Sequence, residues 1–387
     1  MTSLDWRTAF FPTALVALAA LLGACGSTAA PTSSPAAPPA AAPVSSPAAA
    51  GSASAAASAG SASAAKPAAA QSPAANAKAA TPFKFLFGYR IQANPSTAAV
   101  VIGKDQGYYA QQGINMDWDV VTGQTSLRLI ATGQYQAGSV GGPGTVVDMV
   151  SQNLPLIAVA IINQEGSRTF AVKADSPIKT PKDFEGMKAG IKIAPWPEYE
   201  CMLKQNNVDR SKIKEISIGQ SNLELKQGIV DILPTFKSNP EPSAYGVDVR
   251  TINPEANGCA TWGTTLVINK QFAADHPDVV TGWLKATLKA LQFYSDNKQQ
   301  ALDIVQKYSG VDVTPSNNAF IYSIEQPQLL TDVTRTNGLG WMTRGQWDTQ
   351  MNQMYSQGLV KTRPKTDDMM TLDYLQKIYK DGKLIWP

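Results

Sequence analysis

The sequence predicts an α/β fold of two lobes, on three observations. Residues 106–145 (QGYYAQQGINMDWDVVTGQTSLRLIATGQYQAGSVGGPGT) carry a helix end, an alternating strand, a short helix opened by polar residues, a second strand and a glycine-rich turn, the order of a βαβ unit. The same rhythm restarts after Gly186, so a second lobe follows the first. A late apolar strand at 264–269 then comes after that second set, placed to cross back to the first lobe.

Each element follows from local chemistry. Residues 83–88 (FKFLFG) are a short apolar run ending in Gly, a buried strand. Asn94-Pro95-Ser96-Thr97 starts a helix that continues through AAVVIGKDQGYYAQQ and stops at Gly113, suited to the left-handed cap position. In 114–121, Ile114, Met116, Trp118 and Val120 point one way and Asn115, Asp117 and Asp119 the other, which marks an edge strand with one wet face. Asp117 and Asp119 are therefore read as a solvated face and not as a catalytic pair. A capped helix over 122–132 and a strand at 135–140 lead into SVGGPGT, a turn that exposes several backbone N–H groups at a strand end. Strands follow at 156–162 and 169–172. The second lobe reads as a strand at 188–193, an APWPE turn, a helix over 198–206, a strand near 213–218, a helix over 222–228 and a strand at 230–233. Beyond 269 the chain is helical, at 277–297, 301–308, 345–357 and 371–379, with Trp283, Trp341 and Trp347 taken as packing residues.

The first eighty or so residues do not belong to either lobe. An apolar run from Ala9 to Leu22, too short to span a bilayer permanently, reads as an export signal. It ends in Leu22-Gly23-Ala24-Cys25, which resembles a bacterial lipobox and makes Cys25 the expected site of acylation and membrane anchoring. Residues 26–81 are almost wholly Ala, Ser, Pro and Gly, cannot bury a core, and are expected to be a disordered tether of roughly 40 Å span. The division expected is a signal peptide at 1–25, the tether at 26–81, the first lobe at 82–173, the second at 174–262, and the return with covering helices at 263–387.

Several function classes find no support. Net charge is +3, two of the lysines lie in the tether, and the body at about +1 shows no basic stripe interleaved with aromatics for a nucleic acid. GxxxxGK[ST] is missing and GxGxxG does not fit the spacing, so no nucleotide cofactor is expected. The single histidine, His276, has no second ligand spaced to join it in a metal site. Cys201 and Cys259 remain after Cys25 and could pair in an oxidising compartment, with geometry deciding.

Three blocks now resemble a known family. Residues 106–114 (QGYYAQQGI) are similar to its kGyyxxxGi block, 130–138 (IATGQYQAG) to its laxGxxdxG block, and 180–186 (TPKDFEG) to its xxDLkGk block. Their order and spacing are those of extracytoplasmic solute-binding proteins of ABC importers, in the group shared by thiamine-pyrimidine, riboflavin, sulfonate and nitrate binders. The resemblance implies a periplasmic-binding-protein type II-like fold: two doubly wound lobes joined by crossing strands, with a ligand cleft between them. It also implies a monomer that hands one small molecule to a membrane permease with its ATPase, held nearby by the lipid anchor. The enzymatic branch, fungal pyrimidine synthases with a CCCFC motif and a histidine, is not matched here, so no catalysis is expected.

Ligands of such sheets sit at the carboxyl ends of strands. That rule nominates Tyr89, Arg90, Gln92 and Asn94 after the first strand, Gln124 and Thr125 at the next helix start, and Ser139, Gly141 and Gly142 in the glycine-rich turn. From the second lobe it nominates Trp196 and Glu198 in APWPE, and Phe236 and Lys237. Trp196, between two prolines, is placed to stack on a flat heterocycle, with Glu198 accepting from a ring amino group. The same pair also fits a Trp folded onto its own lobe and a Glu that merely opens a helix. Pro197-Glu198-Tyr199-Glu200 is similar to the Pro-Glu-x-Glu opening of pyrimidine binders, whereas 233–240 (LPTFKSNP) replaces their Tyr-Asn-Glu turn. Arg90 and Lys237 suit an oxyanion such as a sulfonate or nitrate instead. A sensor lipoprotein that transports nothing is the third reading.

Overall fold

The computed structural model describes residues 80–121, 125–192, 196–219, 221–238 and 241–387, with only the backbone for Thr125 and Ser126. Cys25, the signal segment, most of the tether and Gln124 lie outside the described residues.

The chain opens with β1 (Thr81–Phe87), α1 (Pro95–Asp105), α2 (Tyr108–Gln111), β2 (Ile114–Val120), α3 (Thr125–Ala131), β3 (Ala137–Val140), α4 (Pro143–Ser151) and β4 (Leu156–Ile161). The single long helix expected after β1 is two. Gly107 takes φ +70° and ends α1, and the chain turns so that the Tyr109 ring lies against Gly103, where a Cβ would come within 2.7 Å of it. Tyr109 is fully buried and its hydroxyl meets Thr287 Oγ1 at 2.9 Å, so burial of that aromatic overrides helix continuation. β2 is the edge strand foreseen, with Ile114 and Met116 buried and Asn115, Asp117 and Asp119 exposed.

Next come β5 (Arg168–Lys173), β6 (Lys188–Ile191), α5 (Pro197–Gln205), β7 (Lys214–Ser217), β8 (Leu233–Phe236) and β9 (Val249–Ile252). The helix expected at 222–228 is a run of turns, with Gly228 at φ +68°. Only Leu225 and Glu224 of that stretch are well buried while Leu223 is exposed, so there is no continuous apolar stripe to hold a helix. The strand foreseen at 230–233 lies later: β8 begins at Leu233, and Ile232 bridges to Ala189.

The remainder is β10 (Thr265–Asn269), α6 (Lys270–Asp275), α7 (Pro277–Asp296), α8 (Lys298–Tyr308), α9 (Pro315–Glu325), α10 (Asp332–Asn337), α11 (Arg344–Ser356), α12 (Thr366–Met369), α13 (Asp373–Ile378), β11 (Tyr379–Lys380) and β12 (Lys383–Leu384). Trp283 and Trp347 are fully buried and Trp341 partly so, and Trp283 stacks on Phe83 at 5.2 Å, which fastens α7 over β1.

Strand order in the large sheet is β2-β1-β3-β10-β4, with β1 parallel to β2 and β3 and with β10 antiparallel to both its neighbours. The second lobe repeats the plan. β6 pairs parallel with β7, the Ala189–Ile232 bridge joins β6 to the start of β8, and β5 lies antiparallel between β8 and β9. Each lobe thus carries one antiparallel strand directly after a crossing: β10 in the first, β5 in the second. By its pairing β5 belongs with β8 and β9, so the first crossing runs through 162–167 and not at 173, and the second through 253–264. An antiparallel strand presents its amino end where its neighbours present their carboxyl ends. Arg168 and Thr265 therefore start their strands at the edges where a doubly wound sheet binds ligands.

Candidate functional site

The first lobe brings a polar cluster to that edge. Tyr89 lies beyond β1, Ser139 within β3, Asn163 beyond β4, Thr264 before β10, and Asn94 directly before α1 without a side-chain cap to it. The Tyr89 hydroxyl is 2.5 Å from Ser96 Oγ, with the Ser139 and Thr264 hydroxyls and the Glu325 carboxyl also facing it. Burial pushes the Tyr89 phenol above its ordinary range, so it acts as a neutral donor or acceptor. Gln92 is buried and accepts from Arg90 Nε at 3.1 Å.

Glu325, on α9, is the centre of the cluster, and sequence reasoning missed it. Its carboxylate accepts from the Asn94 amide, from the Asn163 amide at 3.1 Å, and from Ser238 Oγ of the second lobe. Burial pushes its carboxyl up, and those three donors oppose the shift. Region 309–344 had offered no element in the sequence, because α9 holds few apolar residues at a clear period.

The second lobe contributes an aromatic and charged group. Trp196 precedes α5 and packs against Phe170 (5.9 Å between ring centroids) and Phe236 (5.5 Å), and Phe236 itself is 41% exposed. Arg168 places its guanidinium 4.9 Å over the Trp196 ring and donates to Glu198 Oε2 at 3.0 Å. Its Nη2 also lies 3.7 Å from where a Cβ on Gly141 would stand, so one side chain reaches both lobes. Lys192, after β6, is partly buried beside Phe170 and Trp196, and burial lowers its pKa against the pull of Glu224. Arg168 was not foreseen because the carboxyl-end rule skips the amino end of an antiparallel strand; its signal was an arginine directly before an apolar run.

The structure brings together Tyr89, Asn94 and Ser139 on one side, and Trp196, Glu198 and Phe236 on the other. Gly141 and Gly142 lie between, against Arg168 and against the Trp262 and Gly263 carbonyls of the second crossing. Arg90 is not among them, since its guanidinium turns outward to Asp312 at 2.6 Å on an exposed surface. Lys237 is held by Glu255 at 3.2 Å, beside Thr261 on the same oxygen, so its charge is spent within the crossing segments. Thr125 opens α3, and its side chain lies outside the described atoms. Cys201 and Cys259 are bonded as a disulfide with Cα atoms 6.0 Å apart, tying α5 to the second crossing. His276 stands between α6 and α7 with its ring 4.8 Å from Phe272.

The chain is 23% identical over 216 residues to the taurine-binding periplasmic protein of Escherichia coli (strain K12), a match covering 54% of this chain and 66% of that one. It is 21% identical over 209 residues to the formylaminopyrimidine-binding protein of Halalkalibacterium halodurans, covering 52% and 63%. The matches thus span just under two thirds of these curated relatives. Among solved structures, the periplasmic aliphatic sulphonate binding protein SsuA from Escherichia coli superposes with a TM-score of 0.60 at 13% identity, over 75% of this chain and 92% of that one. The desulfurization enzyme DSZB superposes at 0.53 and 13% identity, over 76% and 98%. The fold is therefore that of periplasmic binding proteins, and by itself it does not separate carrier from catalyst. A family model described as NMT1/THI5 like matches residues 94–301, more than half of the chain, and with the three sequence blocks and the two crossed sheets it shows that the chain belongs to the NMT1/THI5-like family.

Proposed function

We propose that this protein is the solute-binding component of an ABC importer, which closes two lobes over a small molecule and presents it to a membrane permease with its ATPase. The observation that carries this reading is Arg168: from the first crossing it touches the Gly141 turn of one lobe and Trp196 with Glu198 of the other, so a solute lodged there bears on both lobes at once. A hinge at two crossings converts such shared contacts into closure. The relatives named as taurine-binding and formylaminopyrimidine-binding periplasmic proteins support the same class of function.

The ligand class favoured is a small aromatic heterocycle, pyrimidine-like or flavin-like. Phe236 leaves much of its ring exposed beside Trp196 at the strand ends, an aromatic wall suited to a flat ring. Arg168 covers the indole, so a ligand stacks on the guanidinium plane or displaces it. Arg168 also favours a second reading, an oxyanion such as a sulfonate, because its Nη2 stands at the Gly141 turn while Nη1 rests on Glu198. The contributing ligand residues are taken as Tyr89, Asn94, Ser139, Gly141, Gly142, Arg168, Trp196, Glu198 and Phe236. The protein is read as a monomeric, non-catalytic lipoprotein on the outer side of the cell membrane, anchored through Cys25.

Native mass spectrometry of gently desalted protein, with an absorbance scan, tests the reading. A co-purified mass with near-ultraviolet or visible absorption selects the heterocycle. If no solute co-purifies and no pyrimidine, flavin or sulfonate raises the melting temperature, the carrier reading falls.

A further inference from the structure

Among the described residues, three buried polar atoms at the first lobe's strand ends lack a hydrogen-bond partner at bonding geometry, Asn94 Oδ1, Asn163 Oδ1 and Ser139 Oγ, and of these Ser139 Oγ has the Tyr89 hydroxyl facing it. Asn163 is 1% exposed and Ser139 5%, so bulk solvent does not reach them. Leaving such atoms unpaired costs folding free energy, and a protein keeps them where something else supplies the bond. All three can accept, and the two amide oxygens can only accept.

Their orientation is set by Glu325, with Gln328 Oε1 accepting from the Asn163 amide as well at 3.2 Å. Glu325, itself 3% exposed, draws the amide NH2 of Asn94 to Oε1 and that of Asn163 to Oε2. With each nitrogen pinned on a carboxylate, neither amide can flip to offer a donor, and both carbonyl oxygens are left over. Ser238 Oγ adds a third donor to Glu325 from the second lobe, so the carboxylate faces donors only. Glu325 lies beyond the residues that the family model matches, so the family likeness says nothing of it.

We infer that Glu325 is a positioning residue of the solute site, which fixes the amides of Asn94 and Asn163 so that their oxygens, with Ser139 Oγ, select a solute carrying an amino group. The inference rests on the solute-binding reading above and narrows it. A heterocycle with an exocyclic amine or a zwitterion with an ammonium would satisfy the three acceptors. An analogue lacking the amine would leave them unpaired, the situation in which hydrogen-bonding sites discriminate most strongly.

The test uses two pairs of probes that differ in one group: taurine against ethanesulfonate, and 4-amino-2-methylpyrimidine against 2,4-dimethylpyrimidine. Affinities are measured by titration calorimetry on the full chain and on two variants, Glu325→Gln and Ser139→Ala. The wild type should bind the amino member of at least one pair tenfold or more tighter than its partner. Glu325→Gln frees one asparagine to flip and should collapse that ratio toward one. Ser139→Ala removes one small hydroxyl that faces the Tyr89 hydroxyl, which keeps Ser96 Oγ at 2.5 Å, so it should fold as the wild type does and still lower the ratio several-fold. Equal affinity for both members of each pair overturns the inference while leaving the carrier function standing. Parallel loss of both members in the variants also overturns it, since that is what a merely structural Glu325 gives. Binding of none of the four overturns this inference, and the carrier reading then stands or falls on the mass-spectrometric and thermal test above.

Discussion

At Gly142 the backbone takes φ +138°, and a Cβ would come within 2.4 Å of the Trp262 carbonyl oxygen. Both the conformation and the space demand glycine at this point, where the turn after β3 meets the second crossing. Gly142→Ala is expected to cost about 1–3 kcal/mol or more, read from denaturant unfolding. Trp196→Ala removes the aromatic wall while leaving Phe170 to close the lobe-2 core. It is expected to weaken an aromatic solute by about 1–3 kcal/mol in calorimetry, and unchanged affinity would take Trp196 out of the site. Trp196, Glu198 and Tyr89 were legible from the sequence because each follows a strand end or opens a helix. Asn163 obeys the same rule, whereas Glu325 and Arg168 escaped it for a physical reason. One arrives on a weakly patterned helix far along the chain, the other at the start of an antiparallel strand, and no local period records either placement.

Among the elements, α5 carries Trp196 at its head and Cys201 in its body, and the disulfide to Cys259 closes a loop of sequence separation 58. Reducing it or replacing both cysteines with serine is expected to destabilise the second lobe by about 2–4 kcal/mol, visible as faster amide exchange in α5 and the loop that follows β9. The spacing of two cysteines could not decide their pairing; the fold does, by bringing their Cα atoms to 6.0 Å. The short turn Pro181–Phe184 is fastened to 209–212 through Glu185, which accepts from the Asp209 N–H at 2.8 Å and from Lys212 at 3.3 Å, with Lys182 also in contact. Those donors, the Asp209 N–H foremost, hold its carboxyl down to about 2, below an ordinary glutamate at 4.5. A depressed carboxylate favours the folded state above its unfolded pKa and loses that contribution as pH falls toward the folded value. Glu185→Gln should therefore lower the melting temperature at pH 6, and the gap to the wild type should shrink between pH 4.5 and 2. A gap that stays constant over that range would show that the carboxylate charge is not what fastens the turn.

For the whole molecule, the sequence disclosed the two-lobed plan because βαβ rhythm is local, and it disclosed the edge strand because Asn115 and Asp117 alternate with the buried Ile114 and Met116, although the far end, with Val120 exposed, leaves that pattern. It put β5 in the wrong lobe because an apolar run carries no sign of which sheet it joins. With hinges at 162–167 and 253–264, solute binding is expected to bring the lobes together, so the radius of gyration from small-angle scattering should fall on adding a bound solute and recover on dialysis. A radius unchanged at saturation would argue for a rigid receptor in place of a closing carrier.

The late return of β10 to the first sheet also bears on biosynthesis. While the chain is being made or threaded through an export channel, β3 and β4 cannot be joined until Thr265–Asn269 has emerged, long after both. Until then the first sheet holds two apolar strands with open edges, which are templates for pairing with other chains. A nascent chain halted just short of residue 265 would thus be a client for holding chaperones, and five more residues would close the gap.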